Sequence, residues 1–207
     1  TYYRNTNGVN SSKLLYGHYD NIEVYPEATT ISLDGTIIDL IPWINSENFD
    51  ASKNLIKKSK ARIAMGHLEL NGFRATRGHM METGMDVRIL DKFEKVYSGH
   101  FHTRSSDGKI FYLGNPYEMF WNDVNDPRGF HIFDTETREL EFFQNPNRLF
   151  KKIFYDDGHN CDEMMNMDLS QYENCYIKIF VVQKNDFYMF DRFVDRCYNE
   201  GNFFELK

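Results

Sequence analysis

The chain has little cysteine, no long apolar run and no excess of positive charge. Its three cysteines, Cys161, Cys175 and Cys197, are too widely spaced for a disulfide framework or a CxxC zinc site, and they favour a reducing cytoplasm. No run approaches the roughly 18 apolar residues of a membrane helix, and no basic segment leads into an apolar one, so we expect neither a membrane partner nor a secretion signal. The net charge of −7 argues against holding nucleic acid by bulk electrostatics, so any DNA contact must be local.

The chain is long and apolar enough to bury a sizeable core. It has 207 residues, of which 41% are hydrophobic and 16% aromatic, which predicts one large domain or one domain plus a small one. It starts with Thr1 rather than Met. We therefore expect a processed chain or an excised fragment.

The stretch Tyr97-Ser98-Gly99-His100-Phe101-His102-Thr103 is the clearest candidate for chemistry. In an extended segment His100 and His102 would project to the same side, with Cα atoms roughly 6.5–7 Å apart. Two imidazoles so placed can reach one metal ion, or one each of a pair roughly 3.5–4 Å apart. Gly99 allows a turn before them. An ordinary surface loop with two histidines remains the alternative.

A second segment has the same form. Ala61-Arg62-Ile63-Ala64-Met65 is a short strand pattern that leads into Gly66-His67. Two strands that each end in Gly-His would bring imidazoles to the carboxyl edge of a sheet, where α/β proteins place their ligands. The pair of motifs therefore favours a metal site over two unrelated loops.

The ordered motifs resemble those of the calcineurin-like metallophosphoesterases. Over about residues 20–155, the surrounding sequence resembles one branch of this family, the SbcD-like DNA repair and recombination nucleases in their T-even-phage form. The resemblance implies an α/β fold, the C-terminal half of the metallophosphoesterase four-layer α/β-β/α sandwich, followed by the start of an α+β capping domain. The domains expected are residues 1–157 and 158–207. The segments that carry the resemblance are Gly66-His67-Leu68-Glu69-Leu70-Asn71-Gly72-Phe73, Ser98-Gly99-His100-Phe101-His102-Thr103, Asn125-Asp126-Pro127-Arg128-Gly129-Phe130 and Phe133-Asp134-Thr135-Glu136-Thr137.

The resemblance also implies roles for individual residues. His67 and His100 would bind one divalent metal ion and His102 a second, with manganese the usual metal of this branch. Glu69 could orient a ligand from behind, although a solvated glutamate is an equal alternative. The loop arginines that could contact DNA phosphates, with a solvated loop face as the alternative, are Arg74, Arg77 and Arg104.

Several motifs of the family are missing. An Asp-x-His, a Gly-Asp and a Gly-Asn-His-Asp normally precede Gly-His, and none is found before residue 67. Asp157-Gly158-His159 reads as Asp-x-His but lies in the reverse order, and His159 is expected to be a surface residue. We therefore expect only the second half of the metal site here, with an incomplete ligand shell.

For the full-length protein the resemblance implies a cytoplasmic, metal-dependent DNA exo- or endonuclease. Its partners would be DNA, an SMC-like ABC ATPase that docks mostly outside these residues, and a second copy in a homodimer. Two alternatives remain at this point. One is a metallophosphoesterase that acts on nucleotides or phosphoproteins, and the other is a phosphoesterase-like scaffold without turnover.

Local patterns predict the main elements around these motifs. Asp34-Gly35 predicts a hairpin turn between strands at residues 28–33 and 36–41. Helices are expected from Asp50 or Ser52 to about Lys60 and from Thr83 or Asp86 to Lys95, with a loop over residues 68–85. The remaining expected elements are strands at 22–25, 109–113, 149–155 and 176–183, a hairpin over 129–144, and a helix from Asp186 to Gly201 followed by a strand at Phe203.

Overall fold

The computed structural model describes residues 10–76, 78–158 and 161–207. The polar composition of residues 1–12 predicts a loop or a severed end, and the first nine of these residues lie outside the described range, as do Arg77 and His159. The chain divides into two compact units, one of residues 1–115 and 129–143, the other of residues 116–128 and 144–207. The boundary after residue 157 between a nuclease domain and a capping domain stays a prediction.

The first unit is built on a six-stranded mixed sheet in the order β1-β2-β3-β6-β8-β7. Strands β2, β3, β6 and β8 run parallel to one another, and the edge strands β1 and β7 are antiparallel to their neighbours. This mixed sheet with few helices confirms the α/β class. The strands are β1 (Thr29–Leu33), β2 (Thr36–Ile41), β3 (Ile63–Gly66), β4 (Arg74–Thr76), β5 (His79–Met80), β6 (Lys95–Ser98), β7 (Ser105–Ser106), β8 (Ile110–Tyr112), β9 (Gly129–Phe133) and β10 (Leu140–Gln144).

The predicted hairpins are confirmed. Asp34 and Gly35 both have positive φ, at 47° and 82°, which is the geometry of the two-residue turn that their sequence favours. Strands β9 and β10 pair as a separate two-stranded sheet, within one residue of the predicted bounds.

The helical predictions are partly wrong. The sequence predicts a short helix within residues 14–25, followed by the strand at 22–25. Helix α1 instead covers Ser11–Tyr16, and residues 22–25 form no strand. Helix α2 (Phe49–Lys58) follows Asn48 rather than Asp50 or Ser52. The helix expected up to Lys95 is only a 3-10 turn over Val87–Leu90, although Asp86 does cap it by accepting from the Arg88 amide at 2.9 Å.

The core of the first unit covers both faces of the sheet. Alternate residues of a strand point to opposite faces, so Ala64 and Val96 enter one buried cluster while Ile63 and Tyr97 enter the other. All four side chains are at most 3% exposed. Strands β3 and β6, which carry the Gly-His motifs at their ends, are therefore fixed from both sides.

Residues 68–85 were expected to be a loop, and the structure corrects this. Strands β4 and β5 pair antiparallel within the segment, and the amide of Met81 donates to the carbonyl of Phe73 at 2.8 Å. Leu68, Leu70 and Phe73 are buried in the core. The segment is therefore an ordered connection that packs against the core.

The second unit has a three-stranded parallel sheet with a helix on one face. Strands β11 (Phe150–Asp156), β12 (Tyr176–Gln183) and β13 (Glu205–Leu206) lie in that order, and the helices are α3 (Cys161–Met165) and α4 (Phe187–Glu200). The predicted cap of α4 is confirmed, because the Asp186 carboxylate accepts from the amides of Tyr188 and Met189. Gly201 ends the helix as predicted, with φ −79° rather than the left-handed conformation common at such glycines.

The strands and helix beyond residue 170 are too small to bury their own apolar face, which predicts a tail that is mobile or borrows a surface from the first domain or a neighbouring copy. In the structure the tail packs against β11, a strand that its position before residue 157 assigns to the first expected domain. Phe193 and Cys197 of α4 are buried together with Ile153 and Tyr155 of β11 and with Ile177 of β12. No helix in the described parts of the chain is long and apolar enough to cross a membrane.

Candidate metal centre

The two Gly-His motifs meet at one edge of the sheet. Gly66 at the end of β3 pairs with Ser98 at the end of the parallel strand β6. The amide of His67 donates to the carbonyl of Ile41 at 3.2 Å, and the amide of Gly99 donates to the carbonyl of Gly66 at 2.9 Å. Both histidine loops therefore leave the carboxyl edge of the sheet side by side, as the strand patterns predicted.

The rings of His67 and His100 are in contact. Their centroids lie 5.0 Å apart with the planes at 87°, and the Trp43 ring lies 6.1 Å from that of His100. His100 has φ 81°, a left-handed conformation that costs a non-glycine residue on the order of 1–3 kcal/mol. Backbone strain of this kind is concentrated at functional sites, so the geometry of His100 itself suggests a binding role.

His102 follows through a loop rather than a strand. Strand β6 ends at Ser98, and the left-handed His100 breaks the extended geometry that would have put both imidazoles on one side. Between them Phe101 is buried, and the carbonyl of His102 accepts from the amide of Asn115 at 3.3 Å. The strand alternation assumed for the His100-Phe101-His102 motif is therefore wrong.

The hydroxyl groups of Ser98 and Tyr112, both buried, form hydrogen bonds with the backbone that follows His67. The Ser98 hydroxyl accepts from the amide of Leu68 at 2.9 Å and donates to the carbonyl of Gly99 at 3.0 Å, so it joins the two histidine loops. The Tyr112 hydroxyl accepts from the amide of Leu70 at 3.0 Å and donates to the carbonyl of Leu68 at 2.8 Å. Sequence reasoning missed both residues, because nothing local marks a hydroxyl that reaches a loop some 30 to 44 positions away.

Glu69 lies where it could orient His100. Its Oε2 is 3.4 Å from Nε2 of His100, and both side chains are partly exposed. Burial lowers the pKa of His100, and the charge of Glu69 opposes that shift. Glu69 therefore contacts His100, and its role in orienting a metal ligand stays a prediction.

His67 is neutral at ordinary pH. Its burial, and next the charges of His100 and His102, lower its pKa to about 4. A neutral imidazole is the form that binds a divalent transition metal. The electrostatics of the site therefore suit a metal ligand.

Imidazole and carboxylate groups are suitable metal ligands, but a metal site needs more of them than are grouped here. Within the described residues no group of three His, Cys, Asp or Glu side chains is arranged so that it could hold a metal ion. The rings of His67 and His100 are in contact and Glu69 lies 3.4 Å from His100, while His102 is near enough for its charge to lower the pKa of both histidines. The partial ligand shell expected from the sequence stays a prediction.

Two of the three candidate arginines line one cavity of about 550 Å³ in the first unit. Arg74 and Arg104 share it with Asn71, Ser105 and Asp107, and the guanidinium of Arg104 lies 3.5 Å from the centre of the Phe142 ring. Arg77 is outside the described residues. A phosphate role for the arginines stays a prediction.

Comparison with known proteins finds a relative for part of the chain. No protein-family model matches the chain. The chain is similar to exonuclease subunit 1 of Enterobacteria phage T4. The two are 42% identical over 154 residues, which is 74% of this chain and 45% of the T4 exonuclease subunit. The chain thus spans less than half the length of this relative.

Proposed function

We propose that the chain is part of a metal-dependent DNA nuclease of the calcineurin-like metallophosphoesterase family, in its SbcD-like branch. The observation that carries the proposal is the meeting of Gly66-His67 and Gly99-His100 at neighbouring ends of parallel strands, with the two imidazole rings in contact. The similarity to a T4 protein named as an exonuclease subunit supports it. The same proposal extends the α/β fold to the C-terminal half of the metallophosphoesterase sandwich.

In this proposal His67 and His100 bind one divalent ion, and His102 binds a second when the remaining ligands are present. A manganese pair would polarise the phosphodiester and lower the pKa of a bound water. The chain's own contributions are a neutral His67, a Glu69 carboxylate that fixes the ring of His100, and a Gly99 that leaves space for the imidazole of His67.

DNA would be held by local contacts. Arg74 and Arg104 line a common cavity, and both suit phosphate oxygens, as Arg77 would. The net charge of this chain is −7, which disfavours binding by a general positive field. We propose cleavage in the cytoplasm of a phage-infected cell.

The partners proposed for the full-length protein are an SMC-like ABC ATPase and a second copy of itself. The word "subunit" in the name of the T4 relative supports an assembly of this kind. We propose that the ATPase docks mostly outside residues 1–207.

A scaffold without turnover is the second candidate. The observation that favours it is that the described residues contain no three-ligand metal cluster. The two candidates differ in what they predict for DNA degradation by histidine variants. A nuclease loses activity when a ligand histidine is replaced, whereas a scaffold has no activity to lose.

The deciding experiment is manganese-dependent degradation of DNA by the full-length protein, with His100→Ala compared against His131→Ala. His131 is a matched control, because it is a partly buried histidine of the same unit whose ring packs on Phe142 at 5.0 Å. We expect His100→Ala to lose at least about a hundredfold in rate, since loss of even a supporting partner of a metal ligand costs 10–100-fold. Activity of His100→Ala within threefold of the parent would reject the nuclease site.

A further inference from the structure

The parallel sheet of the second unit has two faces of different character. One face carries Ile153, Tyr155 and Ile177, which are buried under α4. The alternate residues of β11 and β12 point to the opposite face. On that face three cross-strand pairs stand in register, namely Phe150 with Tyr176, Lys152 with Lys178, and Phe154 with Phe180.

The rings on this face are stacked along the sheet. Phe154 and Phe180 stack with centroids 5.6 Å apart, and they remain 57% and 38% exposed. Phe150 and Tyr176 stack at 5.3 Å, and Trp121 tilts onto Phe150 at 5.0 Å. We call Trp121, Phe150, Lys152, Phe154, Lys178 and Phe180 the aromatic face.

Two ammonium groups lie among these rings. Nζ of Lys152 is 5.1 Å from the centre of Phe180, and Nζ of Lys178 is 4.9 Å from Trp121 and 6.0 Å from Phe180. The nearest acidic residues by strand register are Asp156, at the end of β11, and Glu205 on β13, which pairs with Lys207 at 3.1 Å. Within the described residues neither Lys152 nor Lys178 forms an ion pair with a carboxylate, so the centre of the face is positive.

We propose that the aromatic face binds single-stranded DNA. Bases stack on Phe154, Phe180 and Trp121, while Lys152 and Lys178 neutralise the phosphates between them. A purely apolar protein partner would gain nothing from the two partly exposed ammonium groups, whereas single-stranded DNA supplies bases for the rings and phosphates for the lysines. The choice of DNA over RNA rests on the proposed function, but the binding site itself does not depend on the histidines.

The test is fluorescence anisotropy of labelled oligo(dT) with the whole chain, in EDTA so that no metal site contributes. Phe154→Ala and Phe180→Ala should each weaken binding by roughly five- to a hundredfold, the range expected for loss of one stacked base. Phe154→Leu, which keeps an apolar side chain but removes the ring, should weaken binding similarly. Lys178→Gln should weaken binding and reduce its dependence on salt.

Tyr198→Ala is the matched control, because Tyr198 is an aromatic residue of the same unit that is 65% exposed on α4. It should bind oligo(dT) as the parent does. Absence of oligo(dT) binding, equal binding by Phe154→Ala and the parent, tighter binding of oligo(U), or a dimer that the Phe154→Ala variant loses would each overturn the proposal. None of these results bears on metal-dependent cleavage, so failure here and failure of the nuclease assignment are separable.

Discussion

A Cβ atom at Gly99 would lie 3.1 Å from Nδ1 of His67, so the imidazole occupies space that a side chain at position 99 would need. The second glycine of the motif pair is more restricted, since a Cβ at Gly66 would lie 2.4 Å from the carbonyl oxygen of Ile41. The glycine of each Gly-His motif therefore permits close packing at the sheet edge.

Gly99→Ala should displace the His67 ring by a few tenths of an ångström without unfolding the protein. Its φ is not left-handed, so the free energy of unfolding should change by less than about 1 kcal/mol. In the full-length protein we expect manganese affinity and DNA cleavage to fall by about tenfold, because metal sites require accurate ligand placement. Unchanged affinity at unchanged stability would show that the packing of Gly99 on His67 is irrelevant to the site.

Tyr112→Phe should destabilise the first unit. The substitution removes the hydroxyl that pairs with the Leu70 amide and the Leu68 carbonyl, and leaving buried backbone groups unpaired costs about 1–3 kcal/mol. Urea unfolding measures this, with Tyr97→Phe as the control. Tyr97 is also only 3% exposed, but its hydroxyl makes no hydrogen bond within the described residues. Equal effects of the two substitutions would contradict the role of Tyr112.

Features set by neighbouring residues could be predicted from the sequence. The Asp34-Gly35 turn depends on two residues that tolerate positive φ, and the strands before Gly66 and Gly99 are short apolar runs. The helix expected up to Lys95 is a case in which neighbouring residues do not determine the structure. Its apolar spacing is helical, but Lys95–Ser98 pairs with β3 and the amide of Glu94 donates to Arg62 at 2.7 Å, so distant strand pairing replaces the helix.

The candidate site was partly predictable for the same reason. The glycines and histidines could be recognised from short motifs, and the parallel strands bring them together. Ser98 and Tyr112 could not be recognised, because their partners are 30 to 44 residues away. The left-handed His100 was equally hidden, since histidine has no strong preference for that conformation.

The low pKa of His67 predicts a loss of stability in mild acid. Its pKa is about 4 in the folded chain and about 6.5 when unfolded, so the unfolded state takes up the proton first as the pH falls. The stability that neutral His67 contributes is therefore present above pH 6.5 and declines between pH 6.5 and 4. Urea unfolding over pH 7.5 to 4 without metal should show a shallower decline for His67→Asn than for the parent. Identical slopes would contradict the burial of a neutral His67.

The polypeptide of residues 1–207 should bind manganese weakly and should not cleave DNA. Its described residues offer adjacent imidazoles but no three-ligand cluster, so an ion there would keep most of its water shell. Manganese titration and a DNA degradation assay on the purified polypeptide measure this. Robust, metal-dependent cleavage by residues 1–207 would show that a complete site exists in the chain.

The most direct measurement is the broadening of histidine ring signals by substoichiometric Mn²⁺ in an NMR spectrum of the chain, with signals assigned by single substitutions. If the histidine loops hold the metal, the His67 and His100 signals broaden first, and the His102 signal follows at higher concentration. The signals of His18 and His131 should stay sharp at the same concentrations. Uniform broadening of all histidines, or broadening of His18 or His131 before His67 and His100, would contradict a metal centre at the ends of β3 and β6.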